Sequence, residues 1–238
     1  MTARAILRLA ALVAWLLTAL LLHGLWRLVR APSPWPRLFL GLSARIFGAR
    51  VRIVGRPLRR DVVFLANHLS WMDILLMAGA TGTAFVAKAE LRAAPLVGWL
   101  CTLNRTIFVQ RGDRMGVERQ VAELRDAIAH AWAIAIFPEG TTGDGVTLLP
   151  FKAALLAALD PAPPGLVIQP VRIDYGDATR ELAWVGDEPG QAHATRVLDR
   201  RGTFTATLHF LEPFVPEGGR KAIAAEARLR IAAAVTVP

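Results

Sequence analysis

The sequence predicts an α/β fold, with a central, mostly buried mixed sheet flanked by helices and preceded by an apolar N-terminal helical segment. Three observations carry that expectation. Short runs of apolar and β-branched residues recur along the chain, each too brief for an ordinary helix. Between them stands a stretch of helical periodicity, Val117 to Ala131, with Val121, Leu124, Ile128 and Ala131 on one face. Ahead of them all, the eighteen residues Leu9 to Trp26 carry no charge.

The first element is that apolar run. Eighteen helical residues span about 27 Å, close to the roughly 30 Å hydrocarbon core of a bilayer. Only His23 within it is strongly polar. The run is long for a cleaved leader, and no small-x-small cleavage site stands before Pro32-Ser33-Pro34. A retained membrane anchor is therefore expected. Arg4 and Arg8 precede it and Arg27 and Arg30 follow it, so charge gives no orientation. Whether it crosses the bilayer or lies in it stays open. After a proline-rich break, Arg37 to Arg52 reads as an amphipathic segment at a membrane surface, with Trp26 and Trp35 at headgroup level. Its alternative is a helix packed on the protein's own body. Residues 1–57 thus form an anchor with a basic segment, and residues 58–238 the main domain.

The remaining elements follow in order. Val62 to Ala66, Ala84 to Ala87, Thr106 to Val109, Ala133 to Phe137, Leu166 to Ile173 and Thr203 to Leu211 read as strands, the shorter ones buried on both faces. Val117 to Ala131, Phe151 to Leu159 and Lys221 to Ala234 read as helices. Pro161 to Gly165 is a loop, and 176–201 reads as a polar surface excursion. Strands alternating with helices argue for layers around one sheet.

The net charge of +9 is unevenly placed. Residues 1–60 hold eleven Arg and no Asp or Glu, whereas the rest holds 17 Lys and Arg against 19 Asp and Glu. A basic surface suits nucleic acid or anionic lipid. The arginines flank an apolar run, and no zinc or base-stacking motif is present, so lipid is expected and nucleic acid is not. The single cysteine, Cys101, excludes a disulfide framework and sits among leucines. It reads as a small core residue in preference to a thiol nucleophile.

The chemistry is expected in Asn67-His68-Leu69-Ser70-Trp71-Met72-Asp73, directly after the strand Val62 to Ala66. Strand ends are where α/β proteins place reacting groups. Ser70 and Asp73 have the spacing of a capping box. A turn between His68 and Asp73 lets the imidazole fold back on the carboxylate. Asp73 would then hold one ring nitrogen while the other takes a proton from a hydroxyl. The alternative is that Ser70 and Asp73 only cap a helix and His68 is a buried structural residue. These seven residues alone leave the two readings level. A metal site is not expected, because no second His or Cys cluster stands at ligand spacing. Ser70 lacks the G-x-S-x-G surroundings of a nucleophile.

Further blocks follow in order: Phe108-Val109-Gln110-Arg111, then Phe137-Pro138-Glu139-Gly140-Thr141-Thr142, then Val167-Ile168-Gln169-Pro170-Val171. With Asn67-His68-x-Ser-x-x-Asp73 they resemble the four ordered blocks of the 1-acyl-glycerol-3-phosphate acyltransferase family. The resemblance covers roughly residues 60–175. It implies His68 as general base and Asp73 as its orienting partner. It implies a lysolipid acceptor, an acyl-CoA or acyl-carrier-protein donor as co-substrate, and no cofactor or metal. It also implies substrate binding by Arg111, Glu139, Gly140 and Thr141, with Lys88 at a position that often carries a basic residue. Arg gives a permanently charged fork for phosphate, and a Gly turn lets amides approach an anion.

Two departures matter. The third block often continues Gly-Thr-Arg, and position 142 here is Thr. The second often has Gly six residues before its Arg, and that position here is Arg105, which could compensate in the head-group pocket. The run from Glu139 to Gly145 and on to Lys152 also resembles the branch that acylates lyso-ornithine lipid. Both acceptors stay open, with a slight lean to 1-acyl-glycerol-3-phosphate. A non-enzymatic lipid-binding protein is the reading of another class. The resemblance and the anchor together point to the cytoplasmic membrane, with the site facing the cytoplasm. An apolar groove for the acyl chain is expected beside Trp71, Leu75, Leu76 and Trp99.

Overall fold

The computed structural model describes residues 2–109 and 133–234, with Val121, Ala122, Arg125, Asp126 and Ile128 between them. The elements run α1 (Ala3–Trp26), α2 (Trp35–Ile46), β1 (Ala49–Val54), β2 (Val62–Ala66), α3 (Met72–Thr81), β3 (Ala84–Lys88), α4 (Pro95–Leu103), β4 (Ile107–Val109) and β5 (Ala133–Ile136). They continue with a 3₁₀ segment Ala153–Leu159, β6 (Val167–Asp174), α5 (Gly190–Asp199), β7 (Phe204–Phe210) and α6 (Gly219–Ala233).

The seven strands form one mixed sheet in the order β1-β7-β6-β2-β5-β3-β4. β2 lies between β5 and β6 and pairs with both in parallel. β3 is parallel to β5 and to β4. β7 runs antiparallel to β6, and β1 parallel to β7. All five residues of β2 are buried. Alternate side chains of a strand point to opposite faces, so Phe64 and Ala66 enter one core with α3. Val63 and Leu65 enter the other, with the 3₁₀ segment and α6. The apolar run of β2 is thus a strand covered by layers on both faces.

Helices α1, α2 and α3 stack outward from the first face. Glycine sets the α2–α3 contact. A Cβ on Gly79 would stand 2.5 Å from the Gly41 Cα. Arg37 seals the same contact, donating to Gly79 O at 3.1 Å and Ala80 O at 2.7 Å. This satisfies carbonyls that a helix C-terminus leaves without intrahelical partners.

The structure changes four expectations. The amphipathic segment ends as a helix at Ile46, and Ala49–Val54 is an edge strand. Residues 50–54 are exposed, so no inward face marks them in the sequence, and Arg50 and Arg52 guard the edge. The sheet therefore begins inside the segment assigned to the anchor. Ala153–Leu159 is 3₁₀, not α-helical. The stretch 176–201 holds α5, whose His193 and Val197 are fully buried. Of Val117 to Ala131, the described residues include Ile128, which is buried in the second core; Leu124 and Ala131 lie outside them.

Gly79→Ala should lower stability by about 1–3 kcal/mol, the usual cost of overpacking. Thermal unfolding in detergent should show Tm falling by about 2–4 °C per kcal/mol. An unchanged Tm would contradict the close approach.

Candidate active site

β2 delivers its last residue to a turn that is bonded from every side. The Asn67 side chain takes the place of a further ladder step to β6. It accepts from Ile173 N at 2.7 Å and donates to Ile173 O at 2.9 Å. The backbone then coils into α3, with Asp73 N donating to Ser70 O at 3.0 Å.

Asp73 is fully buried, and its carboxylate is surrounded by donors. Oδ2 accepts from Leu69 N at 2.7 Å, Ser70 N at 3.0 Å and His68 Nδ1 at 2.8 Å. Tyr175, just beyond β6, donates its hydroxyl to Oδ1. Cap and dyad are therefore not alternatives, because one oxygen serves both. A buried carboxylate is tolerable only with its lone pairs satisfied. Burial and the Asp73 charge push the Tyr175 hydroxyl well above the usual phenol range, so it stays a donor.

Oδ2 accepts two backbone amides as well, so His68 Nδ1 is the ring nitrogen that donates to it, and in the neutral imidazole Nε2 is the acceptor. Nε2 has no partner among the described residues. The ring stacks on Phe137 at 4.1 Å between centroids and 15° between planes. Phe137 stacks in turn on Phe85. The His68 side chain keeps 18% exposure. It is held on one side and open on another, as a proton acceptor requires.

The turn after β5 supports His68 from below. Glu139 Oε1 accepts from His68 N at 2.9 Å, and Oε2 from Leu149 N at 3.3 Å. Glu139 is 2% exposed, so the head-group contact expected of it does not fit. It braces the His68 peptide instead. Burial pushes its carboxyl above the usual range, against the pull of those two amides. Gly143 N adds a bond to His68 O at 2.7 Å. Gly140 turns at φ 71°, and the Lys152 side chain covers it: a Cβ there would meet Lys152 Nζ at 3.2 Å.

The other predicted residues divide. Thr141 is exposed on this turn. Lys88 closes β3, whose backbone runs to the same end of the sheet; its side chain lies outside the described ones. Arg111 lies outside the described residues. Arg105 is not brought to the dyad. It lines a cavity formed at the opposite end, by the residues that start β3 and β5. A sheet of this length separates its two ends by more than about 15 Å.

Several contributors had no signal in the sequence. Trp184 N donates to Leu69 O at 2.8 Å, and Thr142 Oγ1 donates to Trp184 O. The Trp71 indole donates to His193 Nδ1 at 2.8 Å, while His193 Nε2 meets Leu182 O at 3.0 Å. Burial pushes the His193 pKa down, which keeps Nδ1 an acceptor. The stretch read as a surface excursion is thus a buttress for the 67–73 turn.

An apolar cavity of about 470 Å³ opens beside Trp71, Ile74 and Leu75, walled by α1, α2 and α4. Trp71 and Leu75 line it as expected. Leu76 is instead a core residue, and Trp99 is exposed. Cys101 is part of the wall.

Glu139 generates a pH prediction. Its folded pKa is raised, so its share of stability is present below the usual carboxylate range and lost as pH rises through the raised value. The wild-type-minus-Glu139→Gln difference in unfolding free energy should therefore fall as pH rises above the usual carboxylate range. Chemical unfolding over that rise in pH measures it, and a flat difference would refute the assignment.

A profile of the acyltransferase family matches residues 50–174. The chain is similar to a lyso-ornithine lipid O-acyltransferase of Brucella abortus, at 34% identity over 98% of this chain and 94% of that protein. A similar relative from Rhodobacter capsulatus, with the same name, shares 33% identity over 87% of this chain and 80% of its own. A 1-acyl-sn-glycerol-3-phosphate acyltransferase of Neisseria gonorrhoeae shares 33% identity over 53% of this chain and 50% of that protein. Among solved structures, a 1-acyl-sn-glycerophosphate acyltransferase from Thermotoga maritima has the same fold, with a TM-score of 0.59 and 24% identity over 85% of this chain and 79% of that one. A family profile over half of the chain and a relative aligned nearly end to end lead to one conclusion: the chain belongs to the acyltransferase family and is an O-acyltransferase.

Proposed function

We propose that His68 is the general base of a single acyl transfer from acyl-CoA or acyl-carrier protein to a lysolipid hydroxyl. The observation that carries this reading is the 2.8 Å bond between His68 Nδ1 and a fully buried Asp73, with Nε2 left bare. Nε2 takes the hydroxyl proton as the acceptor oxygen attacks the thioester carbonyl. The carbon–sulfur bond breaks, and the departing thiolate takes the proton from the imidazolium. Asp73 stabilises that imidazolium while it exists. No acyl-enzyme forms. The oxyanion does not draw on the Leu69 and Ser70 amides, which face Asp73. The donor's acyl chain occupies the apolar cavity beside Trp71.

The acceptor is a lyso-ornithine lipid on this reading. Relatives of that name align with up to 98% of the chain. Position 142 has Thr where the phosphate-binding block often has Arg, and its hydroxyl is engaged by Trp184 O. The Lys152 ammonium above Gly140 suits the carboxylate of an amino-acid head group. The second reading is 1-acyl-glycerol-3-phosphate, supported by the Neisseria relatives over about half of the chain.

The membrane seat is a single leaflet. α1 is long and apolar enough to cross a bilayer, yet both its ends are tied to the folded body. Arg8 donates to Leu198 O and Arg200 O at 3.0 and 2.9 Å, and His23 pairs with Ser33 at 2.8 Å. Leu17, Leu21 and Leu25, spaced by four, are exposed and point outward, while Leu9 and Val13 edge the apolar cavity. With the helix held on the folded body, that stripe faces one leaflet. We assign that face to the cytoplasmic leaflet of the inner membrane.

His68→Ala should cut turnover by about 10²–10⁴ without loss of fold, and unchanged radiolabelled acyl transfer would reject the base. With purified enzyme in detergent, kcat/KM should favour lyso-ornithine lipid over 1-acyl-glycerol-3-phosphate by about tenfold or more, the effect of one lost charge-assisted contact. Equal rates, or a preference for the phosphate acceptor, would overturn the acceptor assignment.

A further inference from the structure

A basic cavity of about 400 Å³ lies at the end of the sheet away from His68. Arg37, Arg59 and Arg105 line it, with His23, Ser33 and Thr81, and no Asp or Glu does so among the described residues. Arg37 is fixed by its bonds to Gly79 O and Ala80 O. The Arg59 and Arg105 side chains have no polar partner among the described residues. Arg105 sits at φ 57°, a backbone conformation costly for a side chain of its size. An arginine held in a left-handed conformation, lining a cavity with no acid among its described residues, calls for an anion.

Two further observations say which anion. His23, Pro36, Leu103 and Asn104 line both this cavity and the apolar one, so the two adjoin. The exposed Leu21, Leu25 and Leu28 lie at this end of α1, beside Arg27 and Arg30. The ligand is therefore charged at one end and apolar at the other, and it arrives from a bilayer.

We propose that the basic cavity binds the phosphate head group of an anionic phospholipid, with one acyl tail entering the adjoining apolar cavity. The proposal rests on the reading of that apolar cavity as the seat of the donor's acyl chain. Two chains then compete for one space, and anionic phospholipid slows acyl transfer by displacing the donor. A phosphate fits arginine forks, and its attraction to each arginine is strongest at the membrane surface.

The test uses the full-length enzyme in neutral detergent micelles. Phosphatidylglycerol is the probe, phosphatidylcholine the zwitterionic control and inorganic phosphate the tailless anion. Native mass spectrometry reads lipid binding, and acyl transfer is followed against donor concentration. Phosphatidylglycerol should raise the donor KM and leave kcat unchanged, while the other two do neither. Arg59→Gln should weaken its binding about fivefold, and the pair Arg59→Gln with Arg105→Gln about 25-fold, given the worth of one arginine near an anionic lipid. Lys at both positions should restore binding, which separates lost charge from lost fold. Undiminished binding in the double Gln variant overturns the site. Inhibition by inorganic phosphate alone overturns the lipid assignment. Arginine-dependent binding that leaves the donor KM unchanged overturns the shared apolar cavity, and with it the acyl-chain reading, but leaves the His68 dyad intact.

Discussion

The arrangement depends on a carboxylate taken out of water. Asp73 has no exposed surface, and every donor it needs comes from its own turn or from Tyr175. Burying such a group without partners would cost several kcal/mol. The turn 67–73 is therefore obliged to coil so that two amides and one imidazole converge on a single oxygen. His68 is oriented as a by-product of satisfying Asp73. The same bond that resolves a burial problem makes Nδ1 the donor and turns Nε2 away from the carboxylate.

The surroundings extend that constraint outward. Glu139 and Gly143 hold the His68 peptide from the β5 side. Asn67 ties the strand end to β6, and Trp184 and His193 hold Leu69 and Trp71 from the far side. Ends of three parallel strands thus meet at one point, where α/β sheets generally place their sites.

The helical layer encloses an apolar cavity beside this site. α2 reaches α3 through the Gly41–Gly79 contact, α1 lies over α2, and the apolar cavity is the space between these helices and α4. Trp71 belongs to both the catalytic turn and the cavity wall. A chain in that cavity would lie beside the dyad, and lipid at the outer leucine stripe of α1 would lie one helix away. The arginines that make the first 60 residues so basic serve varied ends: Arg8 and Arg37 cap carbonyls, and Arg59 and Arg105 face a cavity.

Much of this was legible in the chain. The central strands announced themselves, because a strand buried on both faces has to be apolar throughout. His68 and Asp73 were legible as a pair, because their contact is local and needs only one turn. The edge strand β1 was not, because an exposed strand has no inward face to pattern. Tyr175, Glu139 and His193 gained their roles from contacts 71 to 122 positions away in sequence, and no local period encodes such a partner. Arg105 shows the reverse error: nearness in a motif suggested nearness in space, and the parallel sheet carried it to the other end. Local spacing by itself determined the buried strands, the apolar helix and the dyad. Only the packing of distant segments decided what braces the dyad, which way α1 faces and which arginines share a cavity, since burial and pairing over long separations exist only once the sheet has formed.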